Sequence, residues 1–220
     1  MLEQIINDIK KHATEKHKKF CEMSCQIVKG GYGEGDECVG TKAPMLRQIA
    51  AEYCDISDED LRALLTHRIH EARMLALMIM IDSYRDDPKK IYDIYIANID
   101  HVNNWDLVDM SANKILGDYA RETNDLGVIK ALAEENDLWK NRIAIVSTFS
   151  FIKKGDFDPF FQLAEKFLTH KNTLILRAVA WMLREVGKRD PNAMMSFMTK
   201  HDMKNVSSAI ISIATRRKNR

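Results

Sequence analysis

Turn-forming residues are scarce, with four prolines and nine glycines in 220 residues. A chain so thinly punctuated cannot be a stack of many short strands, because each hairpin draws on those residues. Alternating β-branched runs bounded by turn signals are missing as well. No apolar run approaches the roughly 20 residues needed to span a bilayer. The start, MLEQIINDIKKHATEKHKKF, reads as an amphipathic charged helix rather than a signal peptide, so the expected compartment is the cytoplasm. Cysteine is limited to Cys21, Cys25, Cys38 and Cys54, all in the first quarter. Cys21 and Cys25 stand at helical spacing with no matching Cys or His pair downstream, so they read as small buried thiols rather than zinc ligands. His67 and His70 are three apart with no third ligand in view. The glycines of KGGYGEGDECVG (29–40) follow a helix and match no nucleotide-binding motif. No Ser or Cys sits in a recognisable nucleophile setting. The expectation is a protein with no metal and no cofactor.

What is present is an ordinary globular mixture, 45% hydrophobic and 30% charged, which excludes wholesale disorder. The net charge of +1 hides a strong asymmetry. Residues 140–220 hold 16 Lys+Arg against 6 Asp+Glu, a net of +10, while residues 1–139 hold 17 against 26, a net of −9. The basic residues recur through successive helical segments rather than in one tail. A molecule with one strongly positive end suits a polyanionic partner.

Helical periodicity runs through the whole chain. Helix starts are marked by Ser57 before DEDLRALL, by Asp87-Pro88, Asn124-Asp125, Asp158-Pro159 and Asp190-Pro191. The second helix of each unit aligns on itself: HEARMLALMIM (70–80), NWDLVDMSANKI (104–115), WKNRIAIVSTF (139–149) and TLILRAVAWML (173–183). With Arg73, Asp109, Arg142 and Arg177 in one column, the spacings are 36, 33 and 35 residues. That period, with two helices per unit, predicts an all-α solenoid of stacked antiparallel helix pairs forming a single domain over 1–220. Its inner helices are expected to line a concave groove.

The column predicts that Arg73, Arg142 and Arg177 project positive charge into that groove, with Asp109 the single acid among them; the alternative, weighed for Arg73 above all, is that a repeat-helix arginine snorkels or pairs with a neighbouring carboxylate. Trp105 lies four residues before Asp109, hence on the same helix face. Trp181 lies four residues after Arg177. Indole faces attract cations and stack on flat surfaces, and a carboxylate between them can stabilise developing positive charge or orient a water.

These residues resemble a known family. YGEGDECVGTKAPMLRQIA (32–50), HEARMLALMIMIDSY (70–84), IDHVNNWDLVD (99–109), WKNRIAIVSTFSFIKKGD (139–156) and LILRAVAWMLREVGKRDP (174–191) are similar, in order and spacing, to the AlkD-like DNA alkylation repair proteins. Those are DNA glycosylases built from HEAT-like repeats. The resemblance implies hydrolysis of the N-glycosidic bond of positively charged N3- or N7-alkylated purines in duplex DNA, as part of base excision repair, without metal or cofactor. It also implies work without flipping the base into a pocket. The family's Trp-x-x-x-Asp motif falls on Trp105 and Asp109, its second tryptophan on Trp181, and its backbone-contacting arginine on Arg142. Lys153 and Lys154, with Arg177, are the further DNA-binding candidates, and Tyr32 is the candidate for the family's N-terminal tyrosine. The expected molecule is a monomer. Two other classes keep the fold without the chemistry: a non-catalytic DNA-binding structure sensor and a protein-interaction scaffold.

Overall fold

A computed structural model describes residues 1–201 of the chain. Their backbone is helical, with no strand among the described residues and a single isolated bridge between Glu37 and Ile69. Tertiary contacts divide the chain into two compact units, Met1–Ser111 and the part from Ala112 onward. No described helix is long and apolar enough to cross a membrane.

The first unit contains α1 (Leu2–Lys11), α2 (Glu15–Ser24), α3 (Ala43–Glu52), α4 (Asp58–Leu65), α5 (His70–Ser83), α6 (Pro88–Ala97), a 3-10 turn (Ile99–His101) and α7 (Trp105–Ser111). Ser57 caps α4 by accepting from the Asp60 amide, and Asp87 caps α6 through the Lys90 amide with Pro88 in the first turn. Both starts agree with the sequence, since a short polar side chain satisfies an amide that no helical carbonyl can reach. At the centre lies α5, which packs on α1, α3, α4, α6 and α7. Its run from His70 to Arg73 and from Leu75 to Met80 is buried. A helix buried on every side must be apolar on every side, which explains RMLALMIM.

The second unit contains α8 (Leu116–Thr123), α9 (Gly127–Glu134), α10 (Leu138–Ser147), the single turn α11 (Phe149–Ile152), α12 (Asp158–Phe167), α13 (Thr173–Arg189) and α14 (Pro191–Lys200). Here α10 takes the central place, touching α8, α9, α11, α12 and α13, and it is buried from Asn141 to Ser147. Its approach to α8 is close enough to demand a glycine: a Cβ on Gly117 would lie 2.3 Å from the Ser147 carbonyl oxygen. Asp190 caps α14 through the Asn192 and Ala193 amides.

Two expected boundaries differ. The helix expected over 104–115 ends at Ser111, where the backbone opens into a wide turn closed by Gly117 N–H on the Ala112 carbonyl at 2.8 Å. Asn124 closes α8 in the left-handed conformation (φ 53°) instead of opening α9; a short amide side chain tolerates that conformation. At Asp158-Pro159 the helix starts as the sequence marks it, with Pro159 in its first turn and the Asp158 amide satisfied by Asp156 Oδ1 at 3.3 Å. Cysteine pairing differs too. Cys21 and Cys38, expected as free thiols, form a disulfide. Cys25 is a buried thiol and Cys54 an exposed one.

Candidate functional site

The glycine-rich segment 29–40 is fastened to the start of α5 by buried charge. The Glu71 carboxylate accepts from the amides of Val39, Gly40 and Thr41, with Gly40 the nearest at 2.7 Å. Gly40 sits at φ +102°, with Thr14 so close that a Cβ would meet its carbonyl oxygen at 2.4 Å. Arg73 is 2% exposed; it ion-pairs with Asp36 and donates to the His67 carbonyl at 2.8 Å. The sequence column placed Arg73 in an open groove, and that expectation is corrected: its guanidinium holds the loop. In a helix buried all round there is no solvent face for an arginine to occupy, so it must find a carboxylate and a carbonyl inside.

The loop so fixed delivers Tyr32 to Trp105. The Tyr32 hydroxyl donates to the Ser24 carbonyl at 3.0 Å, and the Trp105 indole N–H donates to the same oxygen at 3.1 Å. Asn104 starts α7 by accepting the Trp105 amide through Oδ1 at 2.9 Å, while its Nδ2 reaches the Cys25 carbonyl at 3.1 Å. Trp105 and Asp109 are both half-buried and lie one helical turn apart on α7. A partly accessible carboxylate one turn from an indole tied to the backbone is thus the first unit's candidate chemistry. Beneath it, His70 Nε2 lies 2.9 Å from Asp106 Oδ2, and Cys25 Sγ lies 3.7 Å from each of those atoms. Burial first, and then the Asp106 carboxylate, pushes the Cys25 thiol far up in pKa, so it is protonated at ordinary pH.

In the second unit Trp181 is half-buried on α13, its ring 5.9 Å from that of Phe149 and tilted by 50°. Two cations lie over Phe149: Lys153 Nζ at 5.5 Å and Arg189 Cζ at 5.5 Å from the ring centroid. Glu185, 7% exposed, accepts from Lys188 and Arg189. Burial alone would raise its pKa, yet the hydrogen bonds from Lys188 and Arg189 outweigh that and hold it below the usual carboxylate range. Lys153, Lys154 and Arg177 are exposed, as a phosphate contact needs. Arg142 is not: it is 5% exposed on α10, with Nη1 donating to the Leu174 carbonyl at 2.5 Å. Its reach is inward, to the first turn of α13.

Sequence reasoning therefore brought forward Trp105, Asp109 and Trp181 and passed over Phe149 and Arg189. The signal for the pair lay in FSFIKKGD and LREVGKRD, where basic residues close two successive segments. Lys204, Arg216, Arg217, Lys218 and Arg220, part of the basic excess, lie outside the described residues.

A family model described as DNA alkylation repair enzyme matches residues 2–215. The chain belongs to that family. No curated protein matches it. Among solved structures, a protein described as a predicted DNA alkylation repair enzyme from Enterococcus faecalis superposes with a TM-score of 0.76 at 14% identity, over 95% of this chain and 98% of that one. AlkD2 from Streptococcus mutans superposes with a TM-score of 0.60 at 13% identity, over 94% and 99% of the two chains. The protein smu.31 from Streptococcus mutans UA159 gives 0.59 at 14% identity, over 79% and 91%. At such identities the likeness concerns the fold, an all-helical repeat fold.

Proposed function

We propose that the chain is an alkylpurine DNA glycosylase, hydrolysing the N-glycosidic bond of N3- or N7-alkylated purines in duplex DNA. The observation that carries this reading is the half-buried Asp109 carboxylate one turn from an indole whose N–H is tied to a backbone carbonyl.

Alkylation at N3 or N7 makes the purine cationic, so the base is already a good leaving group and needs little help from a general acid. Its departure leaves oxocarbenium-like charge on the deoxyribose. Asp109 stabilises that charge and orients the attacking water. The face of Trp105 favours the cationic nucleotide, and Trp181 offers a second indole face of the same kind on its own unit. Exposed Arg177, Lys153 and Lys154 bind phosphates. Arg142 serves the same end indirectly, by holding the first turn of α13, the helix that carries Arg177 and Trp181. The protein acts as a monomer on duplex DNA.

Purified protein is incubated with methylated duplex DNA, and free 3-methyladenine and 7-methylguanine are measured. Asp109→Asn should reduce release by about 10²–10³-fold, the scale set by removing one preorganised electrostatic group, with duplex binding retained. Equal release by variant and parent removes Asp109 from the mechanism. Salt-dependent binding without release by the parent points to a structure sensor, and no DNA affinity at all points to a scaffold.

A further inference from the structure

Cys25, His70 and Asp106 come from three separate places in the sequence and meet inside the first unit. Cys25 ends α2, His70 begins α5, and Asp106 is the second residue of α7. Read along the chain, Cys25 pairs with Cys21 and His70 with His67, and neither pair completes a ligand set. Folding sorts them differently: Cys21 is taken by Cys38, and Cys25 faces His70 and Asp106. We infer that these three side chains form a zinc site that staples α2, α5 and α7 together beneath Trp105.

The geometry fits the ion. Zinc bonds of about 2.3 Å to sulfur, 2.05 Å to imidazole nitrogen and 2.1 Å to carboxylate oxygen put tetrahedral sulfur–nitrogen and sulfur–oxygen edges at about 3.6 Å. The corresponding separations are 3.7 Å and 3.7 Å. The nitrogen–oxygen separation of 2.9 Å is that of the His70–Asp106 hydrogen bond; a tetrahedral ion sets that edge at about 3.4 Å, so the two side chains part by about half an ångström as the ion replaces the bond. Three protein ligands leave a fourth position for water. Thiolate and imidazole together favour zinc over magnesium or calcium, which prefer oxygen.

Charge fits as well. His70 is 1% exposed and the Asp106 side chain 18%. A divalent ion balances the Asp106 carboxylate and a Cys25 thiolate, so the buried group as a whole becomes neutral. In doing so it displaces the Cys25 thiol proton to solvent. Asp106 is already oriented, its Oδ1 accepting from the Leu107 amide at 2.8 Å. His70 Nδ1 is buried without a partner, so the tautomer that offers Nε2 as a lone pair carries an unpaired N–H, a cost that the bond to the ion offsets.

The site has a definite structural consequence. Ser24 and Trp105, the residues adjoining Cys25 and Asp106, are the pair joined by the indole hydrogen bond. An ion between Cys25 and Asp106 fixes the same two segments from below. This inference concerns metal binding and stands whether or not the chain releases alkylated bases.

The test uses the full, untagged chain, stripped with a chelator and kept oxidised so that the Cys21–Cys38 bond persists. Zinc chloride should bind at one ion per chain and release one proton. Cobalt(II) in its place should give a near-ultraviolet sulfur-to-metal charge-transfer band, a signature that requires a thiolate ligand. Cys25→Ser should abolish the band, and Asp106→Asn should weaken zinc binding by more than the roughly 10–100-fold seen for groups that only orient a ligand. The Cys21→Ser/Cys38→Ser double variant and Cys54→Ser should keep it. Absence of stoichiometric zinc overturns the inference, as does a charge-transfer band surviving in Cys25→Ser or lost in the Cys21/Cys38 double variant. If Cys25→Ser does not fold, the parent's cobalt spectrum decides, because a site without thiolate lacks the band.

Discussion

In the first unit, ionised side chains are turned inward and wrapped in backbone. Glu71 gathers three loop amides, and Arg73 is held between Asp36 and the His67 carbonyl. In the second unit, Lys153, Lys154 and Arg177 remain at the surface, and Glu185 with its two basic partners flanks the Phe149–Trp181 pair. One unit uses charge to immobilise a loop and present a fixed indole, and the other uses it to present a cationic aromatic surface. The same repeat column runs through both, so position in a repeat does not by itself decide what a charged residue does; the burial of the helix beneath it does.

Breaking the inward charge should have the largest effect. Asp36→Ala leaves the buried Arg73 guanidinium without its carboxylate, and stability in denaturant should fall by about 3–5 kcal/mol. Breaking the outward charge should leave stability nearly untouched. Changing Arg177, Lys153 and Lys154 to Gln should weaken duplex binding for every sequence, with the salt slope shallower by about 0.9 for each phosphate no longer neutralised. A matching loss of thermal stability in that triple variant would erase the distinction between the units.

The smallest effect sharpens the comparison inside the second unit. Glu185 has a folded pKa below its ordinary value of 4.5, after burial and its basic partners are set against each other. Its contribution to stability is therefore present above that ordinary value and is lost as pH falls through the folded one. The stability gap between parent and Glu185→Gln should be widest near neutrality and close on acidification, as read from thermal unfolding across pH. A gap that stays constant would mean the carboxylate is not stabilised as its bonds imply.

Much of the helical order was legible in the sequence. The Ser57, Asp87 and Asp190 starts follow from local capping, and the Trp105–Asp109 relation follows from helical spacing alone. Arg73 and Arg142 were misplaced in the column because periodicity identifies a helix but does not say how many of its sides are covered. The missing clue was continuity: RMLALMIM and RIAIV carry apolar residues on every face, and a charged residue within them must be interior too. The Cys21–Cys38 bond and the Cys25–His70–Asp106 cluster join distant segments, and spacing carries no information about that pairing.

The shared acceptor at Ser24 makes the arrangement of Tyr32 and Trp105 a matter of chain length more than of chemistry at that position. Both rings are held by a main-chain oxygen, so any residue that keeps α2 helical at position 24 should support them. Adding or deleting one residue in α2 would instead rotate that oxygen by about 100° and release both rings together.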